Sequence, residues 1–406
     1  MQRAFVVAGG SRSQLGLLEH ARALGHTVCV VDGSGSAPLL TEADLGIVRS
    51  FTDVDGVLAE LQARRIEPEA VATMGSDQAV LPTALLAARL GLPGLPLETA
   101  ETVVDKRKMR AAFEQAGVGC PRGREATTPE EAVAAFGQLG PPLVVKPVDG
   151  SAQRGVTEVR DEGELSAAVD RAFAASRAGA VVLEQFVGGD EFTVNGFLLD
   201  GEYFPMSVTR RLLHPSPPLG VCLAHRFPSR LGEREAQLFE LAHAASRAVG
   251  LETGPSYVQL RLEDRVPWTI EVGARLGGGK DAELAKLVTG FDAVRANVLW
   301  ALGQLTRDNL GADPAAAVAP CAQVRFVVAS PGRIVRLDAA PALPLEGVHE
   351  AGFYWREGMV LPPLTSGAER LGYLLVSAPD EYELDTRTDA ALAALDVEIA
   401  AERALV

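Results

Sequence analysis

Lysine is scarce in this chain. Only five occur, Lys106, Lys108, Lys146, Lys280 and Lys286, among 38 basic residues, so each is a candidate for a local purpose. Cysteine is scarcer: Cys29, Cys120, Cys222 and Cys321 stand far apart with no paired spacing. That excludes a disulfide framework and a zinc motif, and it fits a reducing cytoplasm. Six histidines include no HExxH. The apolar run in MQRAFVVAGG is too short for a signal peptide, and no segment is long and apolar enough to span a membrane. A net charge of -15 argues against nucleic acid or an anionic membrane as the main partner, while local Arg and Lys clusters can still hold a small anion. What is present is length: 406 residues, 47% of them hydrophobic, enough for two to four domains.

The most informative stretch is GPSYVQLRLEDRVPWTIEVGARLGGGK, residues 254–280. Val258, Leu260 and Leu262 alternate with Tyr257, Gln259 and Arg261. Trp268, Ile270 and Val272 alternate with Thr269, Glu271 and Gly273. The pattern predicts two half-buried strands joined by a turn over residues 263–267. That pairing puts Gln259 opposite Glu271, about 5 Å apart across the strands. Two oxygen-bearing side chains suit a hard cation such as magnesium, which takes its remaining ligands from phosphates and water. An amphipathic hairpin with one exposed carboxylate is the bland alternative. Arg275 follows on the same side, and Gly277, Gly278 and Gly279 allow backbone to approach a ligand. The GGGK string is not a P-loop, because Ala274 stands where its first Gly belongs and Asp281 where Ser or Thr belongs.

From the N-terminus, short apolar strands (4–8, 27–31, 47–48, 70–74) alternate with helical patterns (13–24, 54–64, 77–90). This predicts a parallel α/β sheet. Its first loop, GGSRSQLG, lacks the GxGxxG of dinucleotide binding. A Pro- and Gly-rich linker closes the unit. A helix over 105–115 carries Lys106, and a strand over 143–146 ends at Lys146 and enters PVDGSAQRGV. A loop of small and polar residues exposes backbone N–H groups that can cradle phosphate, with Lys146 in reach as a point charge. A helix over 162–175 and the strand pair around EQFVGGDEF follow. Residues 203–230 read as a long loop bearing Arg210, Arg211, His214, His225 and Arg226; loops of that length are often functional. Helices over 233–249 and 286–302 flank the hairpin, and short strands lead to a final helix from Asp389.

Taken together, DKRKMRAAFEQAGVGCP, PLVVKPVDGSAQRGV, VLEQFVGGDEFTV, HRFPSRL and TIEVGARLGGG ahead of TGFD resemble, in order and spacing, the ATP-grasp superfamily. The chain is most similar to its carboxylate–amine ligases, which include bacterial L-amino-acid (dipeptide) ligases. The tail GRIVRL…EGV…GMVLPPLTSGAERLGYLLVSAP resembles their C-terminal subdomain. The resemblance implies a mixed α/β and α+β ATP-grasp fold. It has a Rossmann-like parallel-sheet domain (1–98), a small ATP-gripping lobe with a flexible Gly loop (99–183), a large lobe with the metal hairpin (184–312) and a C-terminal subdomain (313–406).

It also implies site residues. Lys106 and Lys146 would contact nucleotide phosphates, and Glu184, Gln185, Phe186 and Val187 would form the hinge that reads adenine with its backbone. Glu191 would bind ribose. The loop with Gly150, Ser151, Gly155 and Val156 would close over the γ-phosphate. Glu271, with Gln259 opposite, would hold magnesium, with manganese as an alternative. Arg275 would hold the substrate carboxylate and its acyl phosphate, so Arg275, Lys146 and Ser151 become the catalytic candidates. Gly277, Gly278, His225 and Arg210, with Arg211 and Arg226, would line the substrate side. Two positions depart from the family pattern: Gln259 replaces an acidic residue and Gly273 replaces an Asn. The resemblance points to a cytoplasmic enzyme, with a homodimer as the expected assembly. It would activate a small-molecule carboxylate with ATP and join it to an amine, with an amino acid among the substrates. An ATP-binding protein with weak or lost catalysis, and an enzyme with another acceptor, are the competing readings.

Overall fold

The computed structural model describes residues 1–150, 152–215 and 219–401. The first unit is a four-stranded parallel sheet. Strands β1 (Gln2–Ala8), β2 (Val28–Asp32), β3 (Leu45–Val48) and β4 (Ile66–Ala72) lie in the order β3-β2-β1-β4. Helices α1 (Leu15–Ala23), α2 (Leu39–Glu42), α3 (Val54–Ala63) and α4 (Asp77–Leu90) connect or follow them. All three strand pairings are parallel, and β1 and β2 are apolar because both faces are covered.

The segment read as a linker contains a further helix, α5 (Leu97–Val104). Next come α6 (Lys106–Ala116), β5 (Gly123–Ala126), α7 (Pro129–Leu139), β6 (Leu143–Pro147), β7 (Thr157–Val159), α8 (Glu162–Ala175) and β8 (Val181–Gln185). The four strands form an antiparallel sheet, β5-β8-β6-β7. Helices α7 and α8 bury Ala132, Ala135, Leu165 and Val169 against it.

The large sheet has eight antiparallel strands. It takes β9 (Asp190–Leu199), β10 (Glu202–Leu213) and β11 (Cys222–Phe227). After α9 (Glu235–Ala248) come β12 (Gly254–Glu263) and β13 (Val266–Gly273). Helices α10 (Asp281–Thr289) and α11 (Ala293–Ala301) precede β14 (Cys321–Val327), β15 (Gly332–Asp338), β16 (Val348–Phe353), β17 (Val360–Leu361) and β18 (Gly372–Ala378). Helix α12 (Glu381–Ala394) and β19 (Asp396–Ala400) end the described chain. The order β13-β12-β9-β10-β11-β14-β18-β16 carries one sheet across residue 312, and β17-β15-β19 form a small sheet beside it.

Three expectations are corrected here. Residues 203–230 are not a loop: β10 and β11 pair within the centre of the large sheet, Arg211 opposite His225 and Arg210 opposite Arg226. Polar side chains on the cavity-facing side had erased the apolar alternation that marks a strand, and Pro205 sits beside a register shift. The helix expected over 286–302 is two, because Gly290 takes a left-handed φ of 76° that ends α10. The final helix starts at Glu381, capped by the Asp380 carboxylate, and a strand follows it.

No helix among the described residues is long and apolar enough to cross a membrane. The first unit is docked through α1 and α11, where a Cβ on Gly16 would lie only 3.1 Å from Val294. There the two ring nitrogens of His20 face acceptors, Gly16 O at 2.8 Å and Asp292 Oδ2 at 3.1 Å. The hydrogen bond to Asp292 raises the His20 pKa above its ordinary value, with burial opposing. A raised pKa means the protonated ring contributes stability below the ordinary histidine pKa and loses it as pH rises through the higher folded value. Thermal unfolding of the wild type should therefore fall more steeply above pH 6.5 than that of His20→Asn. Superimposable pH profiles would rule out this contribution.

Candidate active site

The hairpin was legible from its sequence. Gln259 and Glu271 are direct cross-strand partners. The turn is shorter than expected: only Asp264 and Arg265 lie between the strands, both left-handed with φ of 48° and 72°, as a two-residue hairpin turn requires. The extra length goes into a bulge, since Gln259 pairs with Glu271 but Leu260 pairs with Thr269. The expected alternation over 268–273 breaks at this point. Thr269 is fully buried and its N–H bonds Gly119 O at 2.8 Å, while Ile270 joins Glu271 on the wall of a cavity of about 300 Å³.

This cavity brings most of the expected residues together. Lys106, Lys146, Gly150, Val156, Glu184, Gln185, Phe186, Val187, Glu191, Gln259, Glu271, Arg275, Gly278 and His225 all line it. Gly155 and Gly277 shape its walls from behind. Gly155 has φ 72°, and a Cβ there would lie 2.7 Å from Ala175. A Cβ on Gly277 would lie 2.5 Å from Asp281 Oδ2. Ser151 lies outside the described residues.

Arg210 is the misplaced candidate. It neighbours Phe192 and Arg226 in register, on the sheet face opposite Arg211 and the cavity, and the substrate-side expectation for it fails by one residue. Arg226 likewise leaves the substrate side. It binds Asp385 at 2.6 Å and the Glu381 carbonyl at 3.1 Å, anchoring α12.

At one end, the β6 strand places Lys146 Nζ 2.6 Å from Glu184 Oε2 on β8, and Arg110 of α6 also pairs with Glu184. Burial pushes the Glu184 carboxyl up, but Lys146 and Arg110 outweigh it and hold the group below its ordinary value. Glu184 is thus an ion-pair partner, and the adenine-reading expectation rests on backbone alone. Of the hinge amides, Gln185 N donates to Arg122 O and Phe186 N to Pro142 O. Val187 O accepts from Arg261 at 2.8 Å. The Lys106 ammonium donates to Gly150 O at 3.0 Å, and its own N–H bonds Val148 O. Asp149 braces the loop by accepting from Ser176 Oγ and from the N–H of Arg177 and Ala178. Ala152 O accepts from Gly367 N at 2.9 Å, so the loop rests on the C-terminal part of the chain.

Glu191 is clasped on both oxygens, by Arg211 Nε at 2.7 Å and Arg261 Nη2 at 3.0 Å. Tyr257 Oη accepts from Arg211 at 3.0 Å and from Gln259 Nε2 at 3.4 Å, which leaves the Gln259 amide oxygen available. Arg275 donates through Nε to Asp77 Oδ1 at 2.7 Å and stacks on Tyr257 at 4.8 Å. Asp77 comes from the N-terminus of α4; burial pushes its carboxyl up, while Arg275 and Lys106 outweigh that and lower it. A Cβ on Gly273 would lie 3.4 Å from the Arg275 guanidinium carbon. The arginine therefore lies in van der Waals contact with the position that the Cβ of an Asn there would take. Beneath Gly279, His225 Nδ1 lies 2.9 Å from Asp281 Oδ1. Burial lowers the His225 pKa, but Asp281 outweighs it and raises the ring well above its ordinary value.

Sequence reasoning missed Asp77, Tyr257, Arg261, Asp281, Cys222 and Arg370. A signal existed for Asp77, which opens a helix at the carboxyl end of a parallel strand, where such sheets bind ligands. No local pattern marks Arg370 in an arginine-rich chain.

No cluster of three His, Cys, Asp or Glu side chains able to hold a metal forms among the described residues. Gln259 and Glu271 are nonetheless a fitting pair of oxygen donors. The other carboxylates on the cavity wall, Asp77, Glu184 and Glu191, each meet a cation, whereas Glu271 has no ion pair or hydrogen bond from its carboxylate among the described residues.

Comparison with known proteins agrees with this geometry. Residues 139–283 match the ATP-grasp domain, and residues 325–400 match L-amino acid ligase C-terminal domain 2. The protein y4rH of Sinorhizobium fredii is 28% identical over 310 residues, covering 75% of this chain and 63% of that protein. Alanine–anticapsin ligase of Bacillus subtilis is 30% identical over 245 residues, 54% of this chain and 51% of that one. The chain thus spans between half and two-thirds of the length of these relatives. The crystal structure of L-amino acid ligase from Bacillus licheniformis superposes with a TM-score of 0.81 at 24% identity, covering 98% of this chain and 99% of that one.

Proposed function

We propose that this chain, which carries an ATP-grasp domain followed by an L-amino acid ligase C-terminal domain and has the ATP-grasp fold, is an ATP-dependent carboxylate–amine ligase acting on an amino acid. The observation that carries this reading is the shared cavity. Glu271 and Arg275 from the hairpin strand, Lys146 from the small sheet and Glu191 from the large sheet all line it.

A carboxylate is a poor electrophile at neutral pH. Transfer of the γ-phosphoryl group of ATP makes it an acyl phosphate; attack by an amine then forms the amide and releases phosphate. Lys106 and Lys146 would bind the phosphates, and Glu191 the ribose. Gln259 and Glu271 would hold magnesium, whose chemistry is to offset charge between the phosphates. Arg275, fixed by Asp77, would orient the carboxylate and stabilise negative charge on its oxygens during attack. The loop over Gly150 and Val156, seated on Gly367, would keep water from the acyl phosphate. The match to a ligase named for alanine and anticapsin supports an amino acid as one substrate.

Incubation with magnesium-ATP and pooled amino acids should release ADP in a substrate-dependent manner. ATP binding without ADP release across broad pools would favour the non-catalytic reading, which is motivated by Gln259 and Gly273.

A further inference from the structure

The cations of the cavity divide by what faces them. Lys146 meets Glu184, Arg211 and Arg261 meet Glu191, Arg275 meets Asp77, and His225 meets Asp281. Arg370 is different. It follows the short turn Gly367–Glu369, lines the same cavity and has no carboxylate within ion-pair distance among the described residues. Its Nε donates to Gly367 O at 2.7 Å and its Nη1 reaches Cys222 O at 3.4 Å. Nη2 makes no hydrogen bond among the described residues. The guanidinium lies 3.7 Å over the Phe326 ring, whose neighbours are His225, 5.8 Å away edge-on, and Gly279.

This places a cation near Gly279, next to a turn that holds none of the residues assigned to the nucleotide but touches the phosphate loop through Gly367. Lys106 also meets only a carbonyl, but it sits among the residues assigned to the triphosphate. Arg370 thus has guanidinium donors open to an anion that no carboxylate among the described residues supplies. The ring beneath it and the bond to Gly367 fix the plane of the guanidinium, so its free edge is pre-organised for a planar, two-oxygen acceptor.

We propose that Arg370 forms a carboxylate subsite at the His225–Gly279 end of the cavity, and that it selects an amine substrate bearing its own carboxylate, that is, a second amino acid. This rests on the ligase reading. The carboxylate held by Arg275 is the one activated; the one held by Arg370 stays unreacted in the product. The Gly367–Ala152 hydrogen bond sets the subsite beside the phosphate loop.

The test uses three amines at saturating acid and magnesium-ATP: an amino acid, its carboxamide, and hydroxylamine, which has no carboxylate and traps an acyl phosphate as the hydroxamate. Arg370→Gln should raise KM for the amino acid about 10- to 100-fold. It should leave KM for ATP, KM for the carboxamide and the rate of hydroxamate formation near wild type. Arg370→Lys keeps the charge but loses the fork and should fall between. Normal ATP affinity and hydroxamate formation in the variants show that they are folded. Hydroxamate formed equally well by both proteins, with no change in amino-acid KM, overturns the subsite and leaves the ligase reading standing. No hydroxamate from the wild type with any acid overturns the ligase reading and the subsite with it.

Discussion

Replacing Glu271 by Ala should lower substrate-dependent ADP release by about 100- to 1,000-fold with little change in melting temperature. The two halves of that result have separate causes. The Glu271 carboxylate lines the cavity but makes no ion pair or hydrogen bond among the described residues, so its loss breaks nothing that holds the fold together, and surface-like losses of this kind stay within about 0.5 kcal/mol. Its chemistry is irreplaceable nearby, because Gln259 opposite is neutral and Gly273 has no side chain. Glu271→Gln keeps an oxygen but loses the charge, and it should recover only a small part of the rate. The measurement is ADP release at saturating ATP and substrates, with thermal unfolding in parallel. Turnover within about threefold of wild type in Glu271→Ala, against the loss anticipated above, would contradict a role in phosphoryl transfer.

What the sequence made legible follows from period and locality. The hairpin could be read because its two strands are close in sequence and alternate, which fixes register; the Gln259–Glu271 pairing followed. Helices α4 and α8 matched their expected bounds because each has a clear apolar stripe between polar boundaries. The parallel sheet was visible from its run of short apolar strands. Strands β10 and β11 were not visible, because their cavity-facing side carries Arg211 and His225 instead of apolar residues. Without that alternation the choice between Arg210 and Arg211 was open, and a strand settles it by a single step. Asp77 reaches Arg275 across 198 positions, and Arg370 reaches the cavity from the last quarter of the chain. Contacts of that range are products of tertiary assembly. The place of Asp77 at the start of a helix marks a ligand-binding position but not its partner, and Arg370 carries no local mark at all.

Glu184 carries the second large effect, and there structure and chemistry can be separated. Its carboxylate is the shared partner of Lys146 and Arg110, and both Glu184 and Lys146 are almost wholly buried. Glu184→Ala would leave two cations together in a low-dielectric setting, at a cost of about 3–5 kcal/mol. The apparent melting temperature should drop by several degrees, and ATP affinity should weaken as Lys146 leaves its position. The acid limb gives the sign independently. The folded-state pKa of Glu184 lies below its ordinary value, so its contribution is present above the ordinary carboxylate pKa and disappears as pH falls through the lower folded value. Wild type should therefore lose stability on acidification more steeply than Glu184→Ala. Exchanging the whole cluster for apolar residues, as in Glu184→Met with Lys146→Met and Arg110→Met, removes charge and desolvation cost together and should restore much of the melting temperature. It should not restore ADP release, because the ammonium proposed to bind the phosphates is gone. A Glu184→Ala protein as stable as wild type would show that the cluster contributes nothing to the fold. A triple variant that regained full turnover would remove Lys146 from the chemistry.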